Sequence, residues 1–333
     1  MSARFPDSST IRAAITLANR APSIHNSQPW KWQIGDNSLH LWIDQNRHLV
    51  HTDPDSRDLI ISCGAALNHC AIALTALGWS PWIHRFPNPA EPDHVASIEV
   101  RKQCPGADDL RLAAAITRRR TDRRHFSSRP VTVSDVSLLA ARAARMGAML
   151  RSVHISPDVR SLVARAAAQH AQDSGYLSEL SMWSGRHASP QGVPARNIPA
   201  PEPVGAGLHR RFAATRPSSP SHNPDTAAES GVLLAVVTST DDRLSRLRAG
   251  EATSVVLLTA SNLGLASCLI TEVLEIPETR DALQDLTFDG GYSAQMLLWI
   301  GWAPIEAGPL PETPRRPVEE TVALLNDASA PLS

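Results

Sequence analysis

Several signatures of common function classes are missing from this chain. There is no G-x-G-x-x-G run, no P-loop and no G-x-S-x-G elbow. That leaves no support for a Rossmann nucleotide site or for the serine turn of an α/β-hydrolase. Cysteine is scarce, with Cys63, Cys70, Cys104 and Cys268 the only four. Cys63 and Cys70 lie seven apart in an apolar helical run and read as buried thiols rather than a disulfide or metal pair. The thirteen histidines show no metal-ligand spacing with cysteine or carboxylate, so no metal is expected. Excess charge is lacking too: 32 Lys and Arg against 33 Asp and Glu leave a formal net charge of −1, which favours neither nucleic acid nor an anionic membrane. No apolar run reaches the roughly 18–20 residues of a membrane span, and MSARFPDSST at the N-terminus has no apolar signal core. A cytoplasmic location is the resulting expectation.

What is present is a chain of 333 residues, long enough for two domains or two halves. Asp7, Ser8 or Ser9 can cap a helix with Ile11, Ile15 and Ala18 on one stripe, and Pro22 ends it. Trp32 and Ile34, then Leu39, Leu41 and Ile43, alternate with polar residues around Gly35-Asp36-Asn37-Ser38, a β-hairpin pattern. Leu59 to Leu77 is apolar nearly all round and predicts a buried central helix, with Gly78 after its end. Further helices are predicted at 110–116, 133–145 and 157–181, and strands at 94–100, 231–238 and 295–301. The stretch 250–265 repeats the character of the first central helix. Pro304 to Pro317 reads as an extended tail. Trp183 to Ala228 is rich in Pro, Gly, Ser, Arg and His without sustained period, and is too long for a simple connection. It reads as a flap, with Trp183, Arg186, His187, Arg210, Arg211 and Phe212 as candidate anchors, or as a disordered linker.

The chain repeats weakly against itself. A shift of 186 pairs Thr52 with Thr238, Asp55 with Asp241, Arg57 with Arg243, Gly64 with Gly250 and Gly78 with Gly264. A shift of 122 pairs Leu17-Ala18 with Leu139-Ala140 and Arg20-Ala21 with Arg142-Ala143. The 64-residue difference is the size of an insertion in a second half and contains the Pro-rich segment. The division expected is 1–112 and 113–333, with 183–228 inserted.

Two segments carry candidate chemistry. Arg118, Arg119, Arg120, Arg123 and Arg124 stand close together with Thr121 between them. Repulsion makes such a cluster costly unless it is solvated or faces an anion. A solvated turn and a nucleic-acid patch are alternatives, but neutral net charge and the lack of interleaved aromatics weigh against the patch. A single phosphate suits the forked, permanently charged guanidinium donors better. The other segment, Ala21-Pro22-Ser23-Ile24-His25-Asn26-Ser27-Gln28-Pro29-Trp30, could be an ordinary capped helix end and loop. Its hydroxyl and amide groups could also meet the edge of a polar heteroaromatic ring.

Together these residues resemble the flavin nitroreductase family. Members usually carry Arg-Arg-Ser-x-Arg-x-Phe, then a helix, then Ala-Pro-Ser-x-x-Asn-x-Gln-Pro-Trp. The second motif is nearly complete at Ala21 to Trp30. The first stands at Arg119 to Phe126, with Thr121 where Ser is usual, and Pro130-Val131 follows it as in the family. The order is inverted. The first half shows no basic motif, and Met146 to Ser152 shows no Asn-x-Gln-Pro-Trp. The detailed likeness is to the actinobacterial, especially mycobacterial, Acg-like branch, which joins Arg-Ala-Pro-Ser-Ile-His-Asn and Arg-Arg-Arg-Thr-Asp-Arg-Arg segments in one chain.

The resemblance implies an α+β nitroreductase fold: two tandem halves forming a pseudo-dimer, with antiparallel-dominated sheets and packed central helices. Family homodimers take the two motifs of each FMN site from different subunits, so this chain would keep one complementary site as a monomer. Arg119, Arg120, Arg123 and Arg316 would hold the FMN phosphate, with Thr121 and Arg315 beside them. Pro22, Ser23, Asn26 and Gln28 would reach the ring and ribityl side. Leu269-Ile270-Thr271-Glu272 resembles the family turn over the flavin, with the Thr271 N–H facing the ring. No catalytic side chain is implied, since the flavin carries the chemistry. Two functions follow from the likeness. One is an oxidoreductase passing electrons from NAD(P)H through FMN to a nitroaromatic or quinone. The other is an FMN-holding protein whose insertion is a lid closed over the flavin.

Overall fold

The computed structural model describes residues 5–186, 189–198, 231–304 and 308–324. In the first part of the chain, α1 (Ser8–Ala18), β1 (Trp30–Ile34), β2 (Ser38–Ile43), α2 (Arg57–Ala76), β3 (Trp79–Arg85), β4 (His94–Lys102) and α3 (Ala107–Arg118) follow one another. Then come α4 (Val133–Arg145), β5 (Met149–Val153), α5 (Pro157–His170), α6 (Ser174–Trp183), β6 (Ser184–Arg186) and β7 (Val193–Pro194). The chain continues as β8 (Val232–Thr238), α7 (Arg243–Asn262), β9 (Ala266–Ile270), α8 (Glu272–Glu275), α9 (Pro277–Phe288), β10 (Ser293–Gly301) and β11 (Val322–Leu324). The expected α+β class is present, with sheets that are antiparallel except for the β1–β11 and β6–β7 pairs.

Two sheets share one connection order. One runs β11-β1-β2-β4-β3 and the other β5-β8-β10-β9. In each, the chain lays down two neighbouring strands, passes through a 20-residue helix, and returns with the last strand between the second and third. The strand sequences follow from which faces are covered. On β2, Leu39, Leu41 and Ile43 are buried while alternate residues are half-exposed, because one face packs on α1 and α2. On β8, Leu233, Ala235 and Val237 face the α5, α8 and α9 side, and Leu234 and Val236 face α4 and α7, so the strand is apolar throughout.

The helices α2 and α7 cross at two glycines. A Cβ at Gly64 would drive into the Leu247 carbonyl oxygen, and one at Gly250 into the Ile61 carbonyl oxygen. One turn further on, the Ser254 hydroxyl donates to Asn68 Oδ1 at 2.8 Å. Gly64 and Gly250, Ile61 and Leu247, and Asn68 and Ser254 are each 186 residues apart. The contacts are therefore reciprocal, as at a twofold interface where the same patch meets itself. Helix α2 is long and apolar enough to cross a membrane by length and composition, which no run read from the sequence had suggested. It lies inside the protein instead, with 83% of that stretch buried.

Several boundaries differ from the sequence expectations. The helix expected over 157–181 is two, because Asp173 caps a second start, its carboxylate accepting from the Gly175 and Tyr176 N–H groups. The central helices begin earlier than expected, at Arg57 and Arg243, since these charged residues are held by tertiary partners, the Gln295 and Pro92 carbonyls. Of the Pro-rich insertion, 183–186 and 189–198 are described; 187–188 and 199–228, with His187, Arg210, Arg211 and Phe212, lie outside the described residues.

The tail crosses back to the first sheet. Strand β11 pairs with β1, and Asn19 joins both to α1: its Nδ2 donates to Thr321 Oγ1 at 2.8 Å, and its Oδ1 accepts from the wholly buried indoles of Trp30 and Trp32 at 3.0 and 3.2 Å. Asn19→Ala strands two buried indole donors, so we expect a loss of about 2–4 kcal/mol in urea unfolding. A loss below about 1 kcal/mol would show that other groups satisfy those donors.

Candidate functional site

The loop after α1 has an unusual backbone. His25, Asn26 and Gln28 all take positive φ (44°, 54° and 52°), a region that asparagine tolerates better than most residues. The Ser23 hydroxyl accepts from the Gln28 N–H at 3.0 Å, and the Ser62 hydroxyl on α2 accepts from the Ile24 N–H at 3.2 Å. The insertion packs on this loop. Asn26 Nδ2 donates to the Gly192 carbonyl at 3.0 Å, and Gln28 Nε2 to the Pro190 carbonyl at 2.8 Å. Arg47 bonds the Ser27 carbonyl and Gln191 Oε1, both at 2.5 Å, and lies 5.4 Å over the Trp183 ring.

A partly open cleft lies between this loop, α2, α7 and the end of β9. Nine of the eleven residues singled out from the sequence line it: Pro22, Ser23, Asn26, Arg119, Arg120, Thr121, Arg123, Thr271 and Arg315. Gln28 and Arg316 do not. Gln28 turns its amide to the insertion and to the tail, where its Oε1 accepts from the Arg316 N–H at 2.9 Å. The Arg316 guanidinium points away, to the Gln28 and Glu320 carbonyls and to Asp44 at 3.8 Å. A phosphate role for Arg316 therefore does not fit its placement. Arg315, its neighbour on an extended segment, faces the cleft instead.

The structure sorts the basic run by partner. Arg124 is held by both oxygens of the buried Asp122, at 2.8 and 2.7 Å. Arg118 is exposed, and Arg123 donates to the Asn197 carbonyl at 3.2 Å. Arg119 is only 6% exposed and its guanidinium has no hydrogen-bond or ion-pair partner among the described residues. Burial, then Arg120 and Arg20, press its pKa down to about 10. Arg315 is pressed to about 9 by burial first, then by Arg119, Arg20 and Arg120, while Glu312 opposes the shift. Burial and Arg20 also lower Arg120. Among the described residues, the carboxylate near this group is Glu312, which is half-exposed and pairs with Arg20 at 2.5 Å. His69, wholly buried behind the arginines, is held well below its ordinary value by burial, then by Arg119, Arg315 and Arg20. This end of the cleft is thus strongly cationic, with too few anions among the described residues to balance it. The rest is walled by Ile61, Ala65, Leu269 and Met296, with two buried carboxylates, Asp58 and Glu272.

The sequence reading missed Arg20, Asp58 and Glu272. Arg20 follows a helix, where a cation ordinarily meets the helix dipole. Asp58 and Glu272 open helices, where an acid has the same ordinary explanation.

No family model matches the chain. Curated relatives do. A Mycobacterium tuberculosis H37Rv protein named "Putative NAD(P)H nitroreductase Rv3131" is 51% identical over 322 residues, 97% of this chain and 93% of that one. The H37Rv protein named "Putative NAD(P)H nitroreductase acg" is 35% identical over 318 residues, 93% of this chain and 94% of that one. The chain belongs to this mycobacterial Acg-like nitroreductase family. The first of these likenesses runs over nearly the whole chain, not over one motif. Among solved structures, a nitroreductase from Anabaena variabilis is 9% identical with a TM-score of 0.44, over 91% of this chain and 90% of that one. An FMN-bound nitroreductase from Desulfitobacterium hafniense is 15% identical with a TM-score of 0.39, over 64% of this chain and 97% of that one.

Proposed function

We propose that this Acg-like nitroreductase binds one FMN in the cleft and uses it as an NAD(P)H-dependent oxidoreductase. The observation that carries the reading is the unbalanced arginine group. Arg119, Arg120 and Arg315 converge beside Arg20 where burial makes their charge expensive, and a phosphate dianion is the partner that would relieve it. The mostly apolar walls beside them suit a flat ring, with Pro22, Ser23, Asn26 and the Thr271 turn along its edges. Bound FMN would supply hydride acceptance and onward electron transfer to a nitroaromatic or quinone. The protein's own residues hold the phosphate, orient the ring and limit water access. The two sheets of like order and the reciprocal glycine crossing support the division into halves at 1–112 and 113–333, the cleft lying between them.

A second reading, that the protein holds FMN with little turnover, is favoured by the insertion. Its described part is hydrogen-bonded to Asn26, Gln28, Arg47 and Arg123, and Val193 and Asn197 line the cleft. Adding NADPH or NADH anaerobically to the FMN-loaded protein separates the two. Bleaching of the flavin band within seconds supports the oxidoreductase. A yellow flavin that neither nucleotide bleaches supports the holding role.

The arginine values also set a pH dependence. Arg119 and Arg315 keep their charge from pH 5 to 7, since even the lowered values lie near 10 and 9. The phosphate ester gains its second charge near pH 6, so FMN affinity should rise about tenfold between pH 5 and 7. A flat profile in isothermal titration would place the phosphate away from the arginines.

A further inference from the structure

The 186-residue relation that pairs the two glycines also pairs the walls of the cleft with another set of residues. This inference rests on the proposed division into halves. On α2 the cleft is lined by Ser62 and Ala65, and across it stands Thr271. These three are small, and their size is what leaves room. Their counterparts 186 residues away are Arg248 and Glu251 on α7, and Arg85 at the end of β3. All three are long and charged, and Arg85 and Glu251 meet.

Arg85 Nε and Nη2 donate to Glu251 Oε2 and Oε1, both at 2.8 Å, a fork-on-fork pair. The Glu251 side chain is 1% exposed and that of Arg85 24%. Burial raises the pKa of the Glu251 carboxyl, and Arg85, then Arg248, oppose that rise. Arg248 also lies across Gly147, close enough that its Cδ and Nη1 would crowd a Cβ there at 3.1 and 3.2 Å. Gly147 in turn stands 122 residues after His25, the other shift of the repeat, and His25 lines the cleft. Where Ser62 lines the cleft and bonds the loop backbone, its long counterpart lies against the matching loop at Gly147.

We infer that Arg85, Arg248 and Glu251 form an ionic plug in the pseudosymmetric counterpart of the cleft, and that this plug limits the chain to one flavin. The same positions that make room on one side of the α2–α7 crossing remove it on the other. The bidentate geometry satisfies Arg85 and Glu251 between themselves, so that pair needs no outside anion. It also ties β3 of one sheet to the central helix that serves the other.

The test is the triple variant Arg85→Thr, Arg248→Ser and Glu251→Ala, which installs the small residues of the open cleft at the plugged position. Its crystal structure should show a new cavity between β3, α7 and Gly147, and crystals soaked in lumiflavin, a flavin ring without phosphate, should hold it there. The wild-type chain saturated with FMN should take up no further lumiflavin in equilibrium dialysis. A folded triple variant without the added cavity overturns the inference, and so does a wild-type chain that binds two flavins. If the triple variant does not fold, Arg85→Met with Glu251→Gln keeps the volume without the charge. That variant should stay at one flavin, and a second one overturns the plug. A wild-type chain that binds no FMN would sink the cofactor reading, while the cavity in the triple variant would still decide the plug.

Discussion

Arg119→Met makes the FMN-free protein more heat-stable and FMN binding weaker. The two effects have one cause. The Arg119 guanidinium is buried, unpartnered among the described residues, and surrounded by Arg20, Arg120 and Arg315. Its pKa is pressed down from the ordinary guanidinium value to about 10, so the folded state without ligand carries a charge it disfavours by about 3 kcal/mol. Methionine keeps much of the volume and removes that cost, which should raise the apparent melting temperature by about 3–6 °C. The sign with pH follows. Because the folded value lies below the unfolded one, the penalty is complete at every pH below about 10 and is relieved only above it. The difference between variant and wild type should be flat from pH 6 to 8. With FMN present the gap narrows or closes, because the lost charge-assisted hydrogen bonds are worth about 1.5–3 kcal/mol, or about 10–100-fold in affinity. Differential scanning fluorimetry with and without FMN checks both. A variant that is less stable in both conditions would mean that Arg119 is a packing residue.

Gly250→Leu, and equally Gly64→Leu, should give no folded protein. At most helix crossings a larger side chain pushes a flexible neighbour aside. Here the obstructing atoms are backbone on both sides, the Ile61 and Leu247 carbonyl oxygens and the opposite glycine Cα, so nothing can turn away. The expected loss exceeds about 4 kcal/mol. Because the contact is reciprocal, the two substitutions should be about equally damaging. Circular dichroism and gel filtration decide it. A cooperatively folded variant with wild-type stability would contradict the crossing.

Much of this arrangement could be read from local pattern. The Trp32–Ile43 hairpin shows because its sheet has one covered face, which leaves a period of two. The glycines at 64 and 250 show in the repeat because no other residue fits the crossing. The basic run shows because five arginines in seven residues need a reason. Which arginine faces the cleft could not be read. Arg315 and Arg316 are adjacent on extended chain, where neighbours point opposite ways, and only the tail's pairing with Gln28, Asp44 and Glu320 decides between them. Asp122 within the run was equally opaque, since its capture of Arg124 depends on burial supplied by the neighbouring β9 strand. The break between α5 and α6 hid because Asp173 reads as an ordinary polar helix residue until it caps.

The central claim is that the buried arginines hold the phosphate of a flavin nucleotide. Titrating the purified, cofactor-stripped protein with FMN and with riboflavin, which lacks only the phosphate, tests it most directly. The account predicts FMN bound at least about 100-fold more tightly, the worth of two or so charge-assisted hydrogen bonds. Equal affinity for the two would contradict it.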